Sequence, residues 1–180
     1  KLAVSEERFR NIFNISPDSV AISEIETGKY VEVNSSFESL SGFNKEEIIG
    51  KTSYELGLWI DNRQREIYIG IIKSEGEINN IEITFRKKDG SLVYTLTSSR
   101  IIETSGKLLI LNVIKDITER KLAQEAIRER EEKFRSIFEH VQDVYYESLL
   151  DGTILEISPS IEILSKGQVC REDIIGRSLP

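Results

Sequence analysis

Methionine is absent from this 180-residue chain, cysteine and histidine occur once each, and there are three prolines and one tryptophan. A single thiol cannot close an internal disulfide, which fits a reducing compartment and reads as cytoplasmic. One Cys and one His cannot assemble a metal site, because such sites need several convergent ligands. Basic blocks are missing as well. The net charge of -7 is spread along the chain, whereas nucleic acid and anionic membrane require clustered Lys and Arg. The longest apolar run, Leu108 to Ile114, is interrupted by Asn112 and falls far short of the roughly 20 residues that cross a bilayer. Glycines fall singly at turns, so no phosphate-cradling loop is present. Lys1 in place of Met leaves the expectation that the natural start lies upstream, with a leader or anchor there still open.

What is present is an internal repeat. Glu7-Arg8-Phe9-Arg10-Asn11-Ile12-Phe13 returns as Glu132-Lys133-Phe134-Arg135-Ser136-Ile137-Phe138, Glu32-Val33-Asn34-Ser35-Ser36 parallels Glu156-Ile157-Ser158-Pro159-Ser160, and Ile48-Ile49-Gly50 matches Ile174-Ile175-Gly176. A period of about 125 residues is a whole domain rather than a solenoid unit of roughly 20–50. The chain therefore divides into one complete domain over 1–118, a charged connecting helix over 119–134, and a truncated second copy over 132–180.

Within the first copy, Ser5 caps an amphipathic helix carrying Phe9, Ile12 and Phe13, which stops before Ser16-Pro17-Asp18. Strands around Val20-Ala21-Ile22 and Tyr30 to Val33 flank the turn at Thr27-Gly28. Asn34 and Ser35 supply cap oxygens to a helix with Phe37 and Leu40, closed by Gly42. A short helix from Glu46 to Ile49 follows. Asp61 caps a longer helix that presents Ile67, Ile71 and Ile72 to the core. The period then changes to two: Ile81, Ile83 and Phe85 alternate with Glu82, Thr84 and Arg86, Lys88-Asp89-Gly90 signals a hairpin, and strands from Leu92 to Ile102 and Leu108 to Ile114 complete the set. Strands split by a helical cluster predict one antiparallel sheet covered on one face, an α+β fold. A ligand cavity belongs between sheet and helices.

Asp116-Ile117-Thr118-Glu119-Arg120-Lys121 ends the last strand and opens a charged helix, with Thr118 placed to cap it. This exit sequence, with Lys87-Lys88-Asp89-Gly90, Asn34-Ser35-Ser36-Phe37 and Leu40-Ser41-Gly42-Phe43, resembles the PAS sensory-domain family over residues 5–121 and again, in part, over 132–180. The resemblance implies a five-stranded antiparallel sheet of order 2-1-5-4-3, helices on one face, and a role in sensing or relaying signals. It also implies a pocket, for which Ile22, Phe37, Leu40, Ile49, Leu56, Trp59, Ile67, Ile71, Ile83, Phe85, Leu96 and Ser98 are candidate lining residues, and a relay through Asp116, Ile117 and Thr118.

Cofactor chemistry finds no support. The flavin-binding LOV subclass would carry a reactive Cys where this chain has Ser53, or Leu179 in the second copy, and a flavin-contacting Gln where it has Ile114. Haem-binding relatives take an axial His from residues 61 to 74, which contain none. His140 is followed by Val141-Gln142, unlike a kinase phosphoacceptor, and Cys170 reads as an inert loop or core thiol. Trp59 is either a core plug or a stacking surface. In Thr95-Leu96-Thr97-Ser98-Ser99, whichever alternate set points inward offers hydroxyls to a polar ligand, and the other is a solvated strand face.

After Thr118, the positions Ala123, Ile127, Arg130, Phe134 and Ile137 alternate steps of four and three, as in a coiled-coil seam. Glu129 with Lys133 and Glu131 with Arg135 are acidic-before-basic pairs worth about 0.2–0.5 kcal/mol each. A homodimer through the N-terminal or connecting helices is the expected partner, a spacer helix the plain alternative. The leading expectation is the input module of a prokaryotic regulator such as a sensor histidine kinase, not itself an enzyme, with an unidentified small molecule as ligand. A ligand-free dimerisation scaffold, or the input of a cyclic-dinucleotide or transcriptional regulator, is the alternative.

Overall fold

The strand segments between Ser19 and Asp116, with their alternating apolar and polar residues, pair into one antiparallel sheet. The computed structural model describes residues 2–141 and 143–178, with side chains from Glu7 onward, and the chain forms two units, Lys1–Lys121 and Leu122–Pro180. In the first, β1 (Ser19–Glu24), β2 (Tyr30–Val33), β3 (Glu77–Arg86), β4 (Leu92–Thr104) and β5 (Lys107–Asp116) are ordered β2-β1-β5-β4-β3, all neighbours antiparallel. Helix α1 (Leu2–Ile15) precedes the sheet, and α2 (Ser35–Ser41), α3 (Lys45–Ile48) and α4 (Asn62–Glu75) lie between β2 and β3. The helix α1 begins three residues before Ser5, which is therefore within it and not its cap.

Two core clusters join helices to sheet. Phe37, Leu40 and Ile48 pack with Ala21, Val93 and Ile114, while Tyr68 and Ile72 of α4 pack with Ile78, Ile83 and Ile110. Each fully buried aliphatic side chain such as Ile72 contributes roughly 2 kcal/mol by leaving water. Caps fix the helix ends. Asn34 accepts from the Phe37 N–H, Gly42 closes α2 in the left-handed region at φ 76°, and Asp61 accepts from the Arg63 N–H. At Gly42 a Cβ would stand 3.4 Å from the Lys88 Cβ, so the turn is both left-handed and tight.

The carboxylates that tie surface segments together make stability pH-dependent. Lys88 Nζ pairs with Glu47 at 2.6 Å, and Arg100 pairs with Glu77. Hydrogen bonds from Lys88 and Arg100 hold Glu47 and Glu77 below the usual carboxylate range, and Thr52 and Ser91 do the same for Glu55 and Asp89. Because these groups hold fewer protons folded than unfolded, their contribution is present above the ordinary values of 4.5 and 3.8 and is lost as pH falls through the folded ones. All four are exposed, so the thermal midpoint should fall modestly on acidification below about pH 4.5, and less so at high salt. A midpoint that rises on acidification would contradict the assignment.

In the second unit, β6 (Tyr146–Ser148) and β7 (Ile154–Ile157) form a two-stranded antiparallel sheet, followed by α6 (Ser160–Leu164) and α7 (Arg171–Ile174). The first strand of this unit is only three residues long. Helix α5 (Thr118–His140) carries the chain from one unit into the other. Its ion pairs run Glu125–Arg128–Glu132, while Glu129–Lys133 and Glu131–Arg135 are not closed. The two units repeat the same local bonds. Asn34 and Val20 exchange a pair through the Asn34 N–H and Oδ1, and Ser158 and Tyr145 do so through the Ser158 N–H and Oγ. The Gly50 N–H donates to the Tyr30 carbonyl as the Gly176 N–H does to that of Ile154, each at 2.8 Å. Phe9 stacks on Phe13, and Phe134 on Phe138.

Candidate functional site

Between the inner face of the sheet and α4 lies a cavity of about 50 Å³. Its position follows from register. Thr95 and Thr97 stand opposite Ile83 and Ile81 of β3, and Thr97 and Ser99 stand opposite Ile114 and Asn112 of β5, so all share the covered face. Loop residues 51–60 close the mouth because the Arg86 N–H donates to the Leu58 carbonyl at 2.8 Å and Trp59 bridges to Phe85. The walls include Ser53, Trp59, Arg65, Tyr68, Thr97 and Asn112, with Ala21, Ile25, Ile69 and Ile110 as apolar surface.

Polar groups converge here in two sets. On the floor, Asn112 Oδ1 accepts from the Tyr68 hydroxyl at 2.7 Å and from Ser99 Oγ at 2.9 Å, while its Nδ2 donates to the Ala21 carbonyl at 3.2 Å. At the mouth, Ser53 Oγ accepts from Trp59 Nε1 and from Arg65 Nε, both at 3.1 Å. Trp59 packs its ring edge-on to Phe85 at 5.2 Å and tilted against Tyr68 at 5.5 Å. Burial pushes the Tyr30 phenol far up, Tyr68 adding in the same direction while Arg65 and the Ser53 hydroxyl oppose it. Burial also raises Tyr68 against its bond to Ser99. Both phenols are therefore neutral hydroxyl donors at any ordinary pH.

Trp59 and Phe85, both expected, line this cavity. Phe37 and Leu40 sit beside a second void of about 20 Å³ with Tyr30, Leu58 and Phe85, Leu56 packs at the margin of that core, and Ile83 is core. The others are placed elsewhere. Ile22, Leu96 and Ser98 belong to the opposite face, since Ala21, Ser23, Thr95, Thr97 and Ser99 are the buried alternates of their strands. Ile67, 57% exposed, and Ile71 point outward because α4 buries Tyr68 and Ile72 instead. Ile49 is exposed at the end of α3. Arg65, Tyr30, Tyr68 and Asn112 were not anticipated, although Asn112 announced itself as the break in an apolar run.

At the exit, Asp116 Oδ1 accepts from the Thr118 N–H at 2.8 Å, so the aspartate performs the capping expected of Thr118. The Thr118 hydroxyl accepts instead from the Tyr94 N–H at 3.0 Å, and the Ile117 N–H donates to the Tyr94 carbonyl at 2.9 Å. Ile117 is buried, and Lys121 pairs with Glu82 at 2.6 Å. Cys170 is exposed with its sulfur 3.5 Å from Glu162, and His140 Nδ1 lies 2.8 Å from the Ser136 carbonyl. Leu179 lies outside the described residues. Among the described residues, no group of three or more His, Cys, Asp or Glu could hold a metal ion, and no helix is long and apolar enough to cross a membrane.

A profile of the PAS domain family matches residues 17–119. The chain is 35% identical over 130 residues to a methyl sulfide methyltransferase-associated sensor of Methanosarcina acetivorans, covering 71% of this chain and 13% of the relative. It is 25% identical over 166 residues to sporulation kinase E of Bacillus subtilis, covering 89% and 21%. The chain thus spans about a fifth or less of the length of these curated relatives. A crystal structure of the PAS domain of an HTR-like protein from Haloarcula marismortui shares the fold, with a TM-score of 0.56 at 20% identity over 64% of this chain and 94% of that one.

Proposed function

The chain belongs to the PAS domain family, and from that premise we propose that it is the sensory input segment of a larger prokaryotic signalling protein, such as a sensor histidine kinase. The first unit binds a small molecule in the cavity and passes its state to α5. The observation that carries this reading is the direct bonding of Tyr94 to Ile117 and Thr118. Tyr94 is on β4, three residues from the cavity-lining Thr97. A ligand that shifts β4 therefore acts on the start of α5, provided it binds two arrangements of that strand with different affinity.

The identity between this chain and named sensor and kinase relatives supports a regulatory role, and the cytoplasm is its proposed location. Ser53 at the position of a flavin-reactive thiol, and a cavity far below the roughly 300–1,000 Å³ of drug-sized sites, favour a compact ligand over flavin or haem. The bonds shared by Asn34 and Ser158, and by Gly50 and Gly176, favour 132–180 as the opening of a second PAS copy. Ile127, Phe134 and Ile137, each at least half exposed on α5, favour a homodimer seam.

Native mass spectrometry of the 180-residue chain tests the ligand reading. A mass excess released on unfolding is the expected result, and a chain carrying only water favours the dimerisation scaffold. For the relay, Asp116→Ala combined with Thr118→Ala in the full-length protein should leave ligand binding intact and weaken the signalling response roughly tenfold or more, in line with usual coupling energies. An undiminished response would rule that route out.

A further inference from the structure

The cavity is selective in sign. Its lining contains one cation, Arg65, and no Asp or Glu, although acidic residues outnumber basic ones 31 to 24 in the chain. Arg65 is half-buried, its Nε is committed to Ser53, and no carboxylate lies within ion-pair distance of its guanidinium among the described residues. The Gly28 turn closes over it: a Cβ there would stand 3.4 Å from Arg65 Nη2. A cation drawn partly out of water without a counter-ion is unfavourable unless an anion completes the site. The polar wall adds no negative charge: Tyr30, on which Arg65 acts, and Tyr68 stay neutral phenols, while the Tyr68 hydroxyl and the Trp59 N–H are given to Asn112 and Ser53.

We propose that this cavity binds a small monocarboxylate of two or three carbons, with its carboxylate on Arg65 and its carbon tail against Ile25, Ile69 and Ile110. The inference rests on the ligand-binding reading above and specifies its chemistry. Size sets the upper bound. About 50 Å³ corresponds to roughly four water-sized positions at 10–15 Å³ each, which is the heavy-atom count of acetate and close to that of propionate. Inorganic oxyanions would satisfy Arg65 but leave the isoleucines facing polar oxygen. A guanidinium presents paired N–H donors to the two carboxylate oxygens, which an amide cannot match.

Trp59 is the chain's only tryptophan and forms part of the wall, so its emission reports occupancy. In the 180-residue chain at fixed ionic strength, acetate and propionate should change Trp59 emission saturably, while acetamide and nitrate should be at least about tenfold weaker. Arg65→Gln should weaken propionate binding about tenfold to a hundredfold, the usual range for a hydrogen bond to a charged group. Arg65→Lys should fall between. Circular dichroism of each variant checks that the fold persists, and Ser53→Ala, which frees Arg65 from its anchor, provides a second variant with weaker binding expected. Equal binding of acetamide and propionate, or an Arg65→Gln chain that binds like the original, overturns the carboxylate proposal while leaving a ligand cavity. If none of these probes alters Trp59 and native mass spectrometry finds no bound molecule, the ligand-binding reading fails with it.

Discussion

Asn34→Ala should lower the unfolding midpoint of the first unit by about 10–20 °C, from a loss of roughly 3–5 kcal/mol. Asn34 is fully buried and uses its whole amide. Nδ2 donates to the carbonyls of Phe13 and Asp18, both at 3.0 Å, and Oδ1 accepts from the N–H groups of Val20 at 2.9 Å and Phe37 at 3.0 Å. One side chain thus caps α2, terminates α1 and registers the start of β1. Its neighbours assist, with Ser35 donating to the Asn14 carbonyl and Ser36 to that of Ser16 just past the helix, so the Phe13 and Asn14 carbonyls at the end of α1 are met by side chains at the start of the next helix. Truncation removes all four bonds, but the Phe37 N–H keeps the Asn34 carbonyl and the Asp18 carbonyl keeps the Ser16 hydroxyl, each at 3.1 Å, so the loss stays below four full desolvation penalties. Asn34→Ser should fall between, since Ser158 makes the matching exchange with Tyr145 through a hydroxyl. A urea-derived loss under about 1 kcal/mol for Asn34→Ala would refute this division of labour.

The element order was legible because it depends on local signals. Asn34, Gly42, Asp61 and Gly76 stand at helix ends, and the Lys88-Asp89-Gly90 turn sets the β3–β4 hairpin. Which face of each element turns inward was much less legible. On α4 the residues Ile67, Tyr68, Ile69, Ile71 and Ile72 form so broad an apolar arc that i,i+4 spacing fits Ile67 with Ile71 as well as Tyr68 with Ile72. Tertiary partners decide between them: only the second pair brings the Tyr68 hydroxyl to Asn112 and Ser99. Strand parity is equally nonlocal. A register shift between Ile78 and Ile81, with Asn80 at φ 53°, lets both isoleucines turn toward the covered side despite their odd spacing. On β4 the alternation leaves either set free to face inward, and Thr95, Thr97 and Ser99 take the inner face rather than the candidates Leu96 and Ser98. Thr95 meets its cost of burial by donating to the Ile83 carbonyl at 2.8 Å. Arg65 carried no sequence signal at all, since a lone arginine on a helix is by default a solvated charge.

Asn112→Asp should reverse the direction of the chain's pH dependence. The Asn112 Nδ2 donates to the carbonyl oxygens of Ala21 and Ile110, and a carboxylate there would set oxygen against oxygen in a buried site. Oδ1 would keep its donors, Tyr68 and Ser99, but desolvation and the two carbonyls together favour the protonated acid. Its folded pKa then lies above the unfolded value of about 3.9. In that window the folded state binds a proton the unfolded state does not, so stability falls by ~1.4 kcal/mol per pH unit as pH rises toward the folded pKa. The variant should therefore be close to the original chain below about pH 4 and roughly 3–5 kcal/mol less stable near neutrality, the usual penalty for an uncompensated buried charge. The unsubstituted chain changes the other way, because its exposed carboxylates Glu47, Glu55, Glu77 and Asp89 are all depressed. Thermal midpoints of both proteins from pH 3 to 8 would show two curves that converge in acid. Parallel curves would mean that water or Arg65 neutralises the new charge, and that the floor of the cavity is wetter than its geometry indicates.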